Sequence, residues 1–264
     1  MKNNKIIEAI IFDLSGTLVD FGSLATIEAM KKVFKSKGIA LTNNIIKLDM
    51  GIKKEKHIKK ILNHPFVISN WIKKFERPVN SSEIKILCSD FEKELIHKVK
   101  KNLNLIPNTK KIFKILKKNN IKIGITTGYP KKITKIILNY FKKKNLFFDY
   151  CVSDDEVKNS RPEPDMCLKN LKNLKIKNSK NCIKVDDSLS GIIEGKKAKM
   201  ITVGLVSTGI QMGLTRLAYK KKANKDKINL KKSIKRKFSN TGADIVVNDH
   251  YEFEKMLNSK FSIN

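Results

Sequence analysis

IIEAIIFDLSGT, residues Ile6 to Thr17, is an apolar run that ends in an aspartate and a tight glycine turn. A buried strand that releases an Asp at its C-terminal edge delivers a carboxylate into the crevice where open α/β sheets bind ligands. Asp13 therefore stands where chemistry starts. Aspartate is a recognised nucleophile toward phosphorus, forming an aspartyl-phosphate. The plainer alternative is that Asp13 only caps the turn into the next helix. Partners supplied later in the chain decide between the two.

Beyond this stretch, Ser23 to Lys37 places Leu24, Ile27, Met30, Val33 and Phe34 on one helical face, and Gly38 stops it. No second strand follows until Ile121. Thr42 opens a short helix reaching Met50, and GIKKEKH makes a break before a helix through Leu62. Pro65 begins another toward Phe75, and Ser82 a longer one with Ile84, Cys88, Phe91, Leu95 and Val99 at helical steps. The pattern then alternates. Helix Thr109 to Lys118, strand Ile121 to Thr126, helix Pro130 to Lys144, strand Tyr150 to Ser153 and helix Asp165 to Leu174 come first. Strand Cys182 to Val185, helix Leu189 to Lys197 and strand Met200 to Leu205 follow, then a helical tail, Thr215 to Phe238, a last strand, Asp244 to Val247, and a final helix. Alternating strands and helices argue for a parallel sheet covered on both faces. The expected fold is α/β: a Rossmann-like core, residues 1–20 and 101–264, interrupted after its first strand by an all-helical cap domain, residues 21–100. The connections near residues 20 and 104 would be its hinges.

Hydrophobic residues at 41% and charged residues at 31% describe a soluble globular chain. No apolar run approaches the roughly 20 residues of a membrane span, and Met1 to Lys5 lacks the apolar region of a signal peptide. A cytoplasmic location without a membrane partner is expected. Cys88, Cys151, Cys167 and Cys182 form no CxxC pair and lie in apolar segments, which argues against a disulfide frame or a zinc site. The net charge of +31 would ordinarily raise nucleic-acid binding. Yet the only arginines are Arg77, Arg161, Arg216 and Arg236, and the lysines are spread over nearly every expected helix. A dedicated surface concentrates its charge and uses Arg for bidentate contacts. Weak, salt-sensitive adsorption is expected, and no specific nucleic-acid partner.

Three further loops follow core strands and so come to the same edge as Asp13. Thr126-Thr127-Gly128 offers a hydroxyl and backbone N–H groups to phosphate oxygens beside a helix start. Arg161, in NSRPEP, can neutralise a phosphate and orient the nucleophile. KVDDS ends in Asp186 and Asp187, and one or two carboxylates plus a substrate phosphate suit Mg2+. Singly these are a turn threonine, a surface arginine and a helix cap. In this order they resemble the four motifs of the haloacid dehalogenase superfamily, over nearly the whole chain. Within it the sequence looks closest to the phosphonoacetaldehyde hydrolases. The matching stretches are IEAIIFDLSGTLVDFG, MGIKKEKHI, IKIGITTGYP, SRPEPDMC, KVDDSLSGIIEG, MITVGLVSTG and GADIVVND.

That resemblance implies hydrolysis of the phosphorus–carbon bond of phosphonoacetaldehyde, a step in 2-aminoethylphosphonate degradation, by an enzyme that uses Mg2+. It assigns Asp13 as nucleophile and metal ligand, the carbonyl of Ser15 and the carboxylate of Asp187 as further metal ligands, and Thr127 and Arg161 as phosphoryl contacts. Lys54, from MGIKK, would form a Schiff base with the aldehyde, His57 one turn later would shuttle protons, and Met50, Gly128 and Tyr129 would line the substrate pocket. Homodimerisation through the cap helices is also implied. Superfamily phosphatases usually carry a second Asp where Ser15 stands, to protonate an alkoxide; Ser cannot do so. The acidic loop departs from the common GDxxxD, with Gly191 in place of a distal carboxylate and Asp186 in place of the Gly, so Asp186 is assigned to the metal's outer shell. Two other functions stay open: a phosphate-ester phosphatase or phosphomutase of the same superfamily, and a non-catalytic basic protein that binds acidic partners.

Overall fold

The computed structural model describes residues 6–261 and 263, so Met1 to Lys5, read above for a signal peptide, lie outside the described residues. Short runs rich in β-branched and aromatic side chains form six strands: β1 (Ala9–Asp13), β2 (Lys122–Thr127), β3 (Tyr150–Ser153), β4 (Cys182–Asp186), β5 (Ile201–Leu205) and β6 (Ile245–Val247). They pair in parallel in the order β3-β2-β1-β4-β5-β6. Every residue of β1 and of β4 is buried, as a central strand covered on both faces requires. The chain runs outward from β1 through β2 and β3 on one side and through β4, β5 and β6 on the other. The carboxyl ends of β1 and β4 thus form the switch-point crevice in which ligands bind to such sheets. Asp13 ends β1 opposite Thr126, and Asp186 ends β4 opposite Gly204.

The first five of the six helices between β1 and β2 make up the insertion: α1 (Leu24–Ser36), α2 (Asn43–Lys47), α3 (Lys54–Leu62), α4 (Pro65–Phe75) and α5 (Ser81–Lys101). The apolar face of α1, with Ile27, Met30, Val33 and Phe34, and that of α5, with Leu87, Phe91, Leu95 and Val99, are both buried. The ends are set by local chemistry. Thr42 caps α2, Pro65 occupies the first turn of α4, and Asn80 with Glu83 closes a capping box on α5. The two crossings into and out of this insertion run side by side: Asp20 N–H donates to the Asn104 carbonyl at 3.1 Å and Ile106 N–H to that of Leu18 at 2.9 Å.

The sheet is flanked by α6 (Thr109–Lys118), α7 (Lys131–Lys143), α8 (Asp165–Asn173), α9 (Leu189–Lys197), α10 (Arg216–Lys221), α11 (Asn224–Asn240) and α12 (His250–Phe261). A single 3-10 turn, Asp154–Glu156, follows β3. Two expectations change. The helix opened by Thr42 stops at Lys47 rather than reaching Met50, which leaves residues 48–53 free to reach the sheet edge. The tail is two helices, not one, because Lys222 and Ala223 are extended; a continuous helix would set Lys221 and Lys222 one turn from Lys225, a repulsive spacing. No helix among the described residues is long and apolar enough to cross a membrane.

Candidate active site

The carboxyl ends of β1, β2 and β4 and the loop before α3 enclose a cavity of about 30 Å3, room for a few waters at most. Asp13, Ser15, Met50, Lys54, Thr127, Gly128, Tyr129, Arg161 and Asp187 line it. His57 and Asp186 do not. The sequence put these residues on separate segments; the topology brings them to one place.

Gly16 makes the turn after Asp13 possible, with φ of 88°, and a Cβ there would overlap the Asp187 carboxylate and Ser23 Oγ. Asp187 is held by Thr17 Oγ1 at 3.0 Å, Ser23 Oγ at 3.1 Å and the Ile210 N–H at 2.7 Å. The Ser15 carbonyl accepts from Ser23 Oγ at 3.0 Å, and the Ser15 hydroxyl donates to Asp20 Oδ2 at 2.8 Å and accepts from Tyr129 OH at 3.3 Å. Ser15 thereby ties the turn after β1 to Asp20, Ser23 and the loop after β2.

Arg161 is fully buried and fixes the Asp13 carboxylate in place. It donates to Asp13 Oδ1 at 2.8 Å, Glu194 Oε2 at 2.8 Å and Thr126 Oγ1 at 2.7 Å, and lies 3.2 Å from Asp186 Oδ2. Lys184, in the middle of β4, sits 3.0 Å from Asp186 and 3.5 Å from Glu194. Asp186 therefore turns toward two cations: burial raises its pKa, but Arg161 and Lys184 outweigh burial and hold it below the usual range. Lys184 and Glu194 escaped the sequence reading, Lys184 because lysine is everywhere in this chain. The available signal was position: a Lys inside CIKVD, a strand apolar on either side, has to be paired.

Four buried carboxylates, Asp13, Asp186, Asp187 and Glu194, face two buried cations, Arg161 and Lys184. Oxygens of Asp13, Asp186 and Asp187 come within 4.8 Å of one another. Burial and then the neighbouring Asp13 charge push Asp187 well above the ordinary carboxylate range, and burial and then Asp186 raise Asp13. Uncompensated negative charge with hard oxygen donors fits a divalent cation such as Mg2+.

The insertion supplies the amine. Lys54 is the first residue of α3, where the positive end of the helix disfavours an ammonium. Its stem is half-buried, its Nζ lies 5.4 Å from the centre of the Tyr129 ring, and burial lowers its pKa to about 8. Tyr129 OH shares a hydrogen bond of 3.0 Å with Thr26 on α1. The insertion closes directly on the core: Ser190 Oγ donates to the Met50 carbonyl at 3.2 Å, and a Cβ on Gly128 would stand 2.9 Å from the Gly51 carbonyl. His57 faces inward instead. Its Nε2 bonds the Ile46 carbonyl at 2.8 Å, and burial followed by the Lys54 charge pushes its pKa down to about 3.

Residues 10–205 match the profile of the haloacid dehalogenase-like hydrolases. Phosphonoacetaldehyde hydrolase of Bacillus cereus is 30% identical over 254 residues, 95% of each chain. This chain belongs to the phosphonoacetaldehyde hydrolase family. Within that family, the Vibrio cholerae enzyme is 36% identical over 215 residues, 80% of this chain and 79% of its own. A crystal structure of a phosphonoacetaldehyde hydrolase-like protein from Oleispira antarctica superposes with a TM-score of 0.94 at 31% identity, covering 98% of this chain and 94% of that one. The protein is thus a hydrolase of the haloacid dehalogenase type.

Proposed function

We propose that the protein hydrolyses phosphonoacetaldehyde to acetaldehyde and phosphate through a Schiff base on Lys54 and a phosphoryl group carried on Asp13. The observation that carries this reading is one cavity shared by a carboxylate nucleophile and a lysine amine, with no carboxylic acid at position 15. Expelling a carbanion directly would be prohibitive. Addition of the Lys54 amine to the aldehyde carbon, with loss of water, places a protonated imine beside the carbon that bears phosphorus. That imine accepts the electron pair of the breaking bond and becomes an enamine. Arg161 holds Asp13 Oδ1 and leaves Oδ2 for phosphorus. Thr127 and Gly128 steady the phosphoryl oxygens. Water then attacks phosphorus, phosphate leaves, and protonation and hydrolysis of the enamine free acetaldehyde and Lys54. Asp13, Asp187 and the Ser15 carbonyl would hold Mg2+, which would supply charge neutralisation at the phosphoryl group.

The reading treats residues 21–100 as a cap that opens to admit substrate, since the closed cavity is too small for it, and closes to exclude water from the imine. Met50 and Tyr129 wall the substrate, and His57 anchors the start of α3. Exposed Phe66, Ile68, Ile72 and Ile86 on α4 and α5 support a homodimer joined through the cap, which light scattering after size exclusion tests as a doubled mass. A reduced cytoplasm and a place in 2-aminoethylphosphonate breakdown go with the same reading.

The test is incubation with phosphonoacetaldehyde and borohydride. A reduced adduct on Lys54 is expected by peptide mass analysis. An unmodified Lys54, in protein that releases phosphate from esters, would overturn the reading in favour of a phosphatase.

A further inference from the structure

A second cavity, of about 210 Å3, lies between the insertion and the core beside Lys54. Lys54 lines both cavities. The second is walled by Ile58, Cys88, Phe91 and Leu95 of the insertion and by Pro130 and Ile133 of the core, with Lys53, Glu55, Glu92 and Asp155 also lining it and one buried carboxylate, Asp154. Asp154 is 4% exposed, and its Oδ1 has no hydrogen-bond partner. A buried carboxylate oxygen left without a partner is costly unless it serves something. Its position is fixed by the backbone: Asp154 begins the 3-10 turn after β3, Ser153 and Glu156 close a capping box around that turn, and Asp154 N–H donates to the Tyr129 carbonyl at 3.3 Å.

Resting on the Schiff-base reading above, we propose that Asp154 is the proton partner of Lys54: it accepts the ammonium proton and returns protons to the aldehyde oxygen as the imine forms. The step balances. The Lys54 ammonium gives one proton to the Asp154 carboxylate, and the free amine adds to the carbonyl carbon. The oxygen so formed takes that proton from Asp154, and the nitrogen then loses its second proton to the same carboxylate. The hydroxyl takes this proton in turn and departs as water. A protonated imine and an ionised Asp154 remain.

The electrostatics agree with the geometry. Burial raises Asp154 to about 6 and Lys54, lowered by burial, stands at about 8, so the two exchange a proton at modest cost. Each is the foremost charged influence on the other. The groups facing Lys54 are Asp154, Asp13, Arg161 and Asp187, and those facing Asp154 are Lys54, Asp155 and Lys53. His57 is a poorer acceptor, since burial pushes its imidazole down to about 3 and it lines neither cavity.

The experiment compares wild type with Asp154→Asn and Asp154→Glu, following the rate of borohydride trapping on Lys54 as a function of pH, with Mg2+-dependent phosphate release from an acyl phosphate as a check on the core. In Asp154→Asn the plateau rate should fall by about 10- to 100-fold. Its midpoint should move to lower pH, because a carboxylate that favours the ammonium has been removed. Asp154→Glu should recover part of the rate, and acyl-phosphate turnover should stay at the wild-type level in both variants. An unchanged plateau in Asp154→Asn, with or without a shifted midpoint, would overturn the proposal, as would a loss of acyl-phosphate turnover as large as the loss of trapping. Absence of trapping in the wild type would overturn the Schiff-base reading itself, a separate result.

Discussion

At the scale of single residues, the proposed reaction divides the site between groups that would react, Asp13 and Lys54, and groups that hold them. Asp13→Asn removes the nucleophile and leaves the amine untouched, so phosphate release should stop while borohydride still marks Lys54. Lys54→Arg keeps a charge but no imine-forming amine and should abolish both signals. Equal trapping in the Arg variant would exclude Lys54. Trapping in the wild type should also rise with pH to a plateau above about 8, the value to which burial lowers Lys54, because only the unprotonated amine adds to a carbonyl. At pH 7 about a tenth of the lysine is then the free amine. An ordinary lysine near 10.5 would offer far less. Arg161 and Lys184 belong to the holding group. Each is buried against carboxylates, and a cation so placed fixes Asp13 and Asp186 in one orientation rather than adding net stability.

At the scale of elements, β4 and α9 carry an exchange of positions. The Asp186 carboxylate, at the end of β4, occupies the space that a side chain on Gly191 of α9 would need, and a Cβ built there would overlap it. The departure from GDxxxD is therefore reciprocal in space: a carboxylate at 186 goes with hydrogen at 191. Gly191→Asp alone should cost several kcal/mol, about the 3–5 typical of forcing a second carboxylate into a buried charged cluster. Adding Asp186→Gly should recover most of that loss. Urea denaturation of both single variants and the double variant reads the coupling directly. Simple addition of the two single effects would mean that the residues do not compete for one volume. The loop before α3 shows the same logic at another junction, since Gly51 and Gly128 let two backbones approach where any Cβ would hold the insertion off the core.

At the scale of the whole molecule, two buried histidines lower stability as pH falls. His57 and His250 are fully buried, and burial lowers each to about 3. Above pH 6.5 both are neutral folded or unfolded, and they contribute no slope. As pH falls from 6.5 toward 3 the unfolded chain binds protons that the folded one refuses, so stability falls by up to about 1.4 kcal/mol per pH unit for each group. His250, with neither ring nitrogen paired, does not line the cavity and isolates the effect. His250→Leu should flatten the loss between pH 6.5 and 3 relative to wild type in urea titrations. Parallel curves would show that the ring is not buried neutral.

The α/β class, the order of elements and the first members of the site were legible in the sequence, because strand and helix periods, caps and breaks are local. Asp13, Thr127, Arg161 and Asp187 could be placed at one edge because every core strand runs the same way and each motif follows a strand. Lys54 was legible through its resemblance to a family motif, not through its chemistry, one lysine among so many. Tertiary structure decided the rest. It put His57 inside the insertion facing Ile46, turned Asp186 toward Arg161 and Lys184, and brought Asp154 to the cavity beside Lys54. Those outcomes depend on burial and on which charges meet across elements distant in the chain, and neither is encoded in spacing. Asp13 at the end of β1 marked the site, and the folding of a helical insertion back onto the core determined which lysine stands beside it.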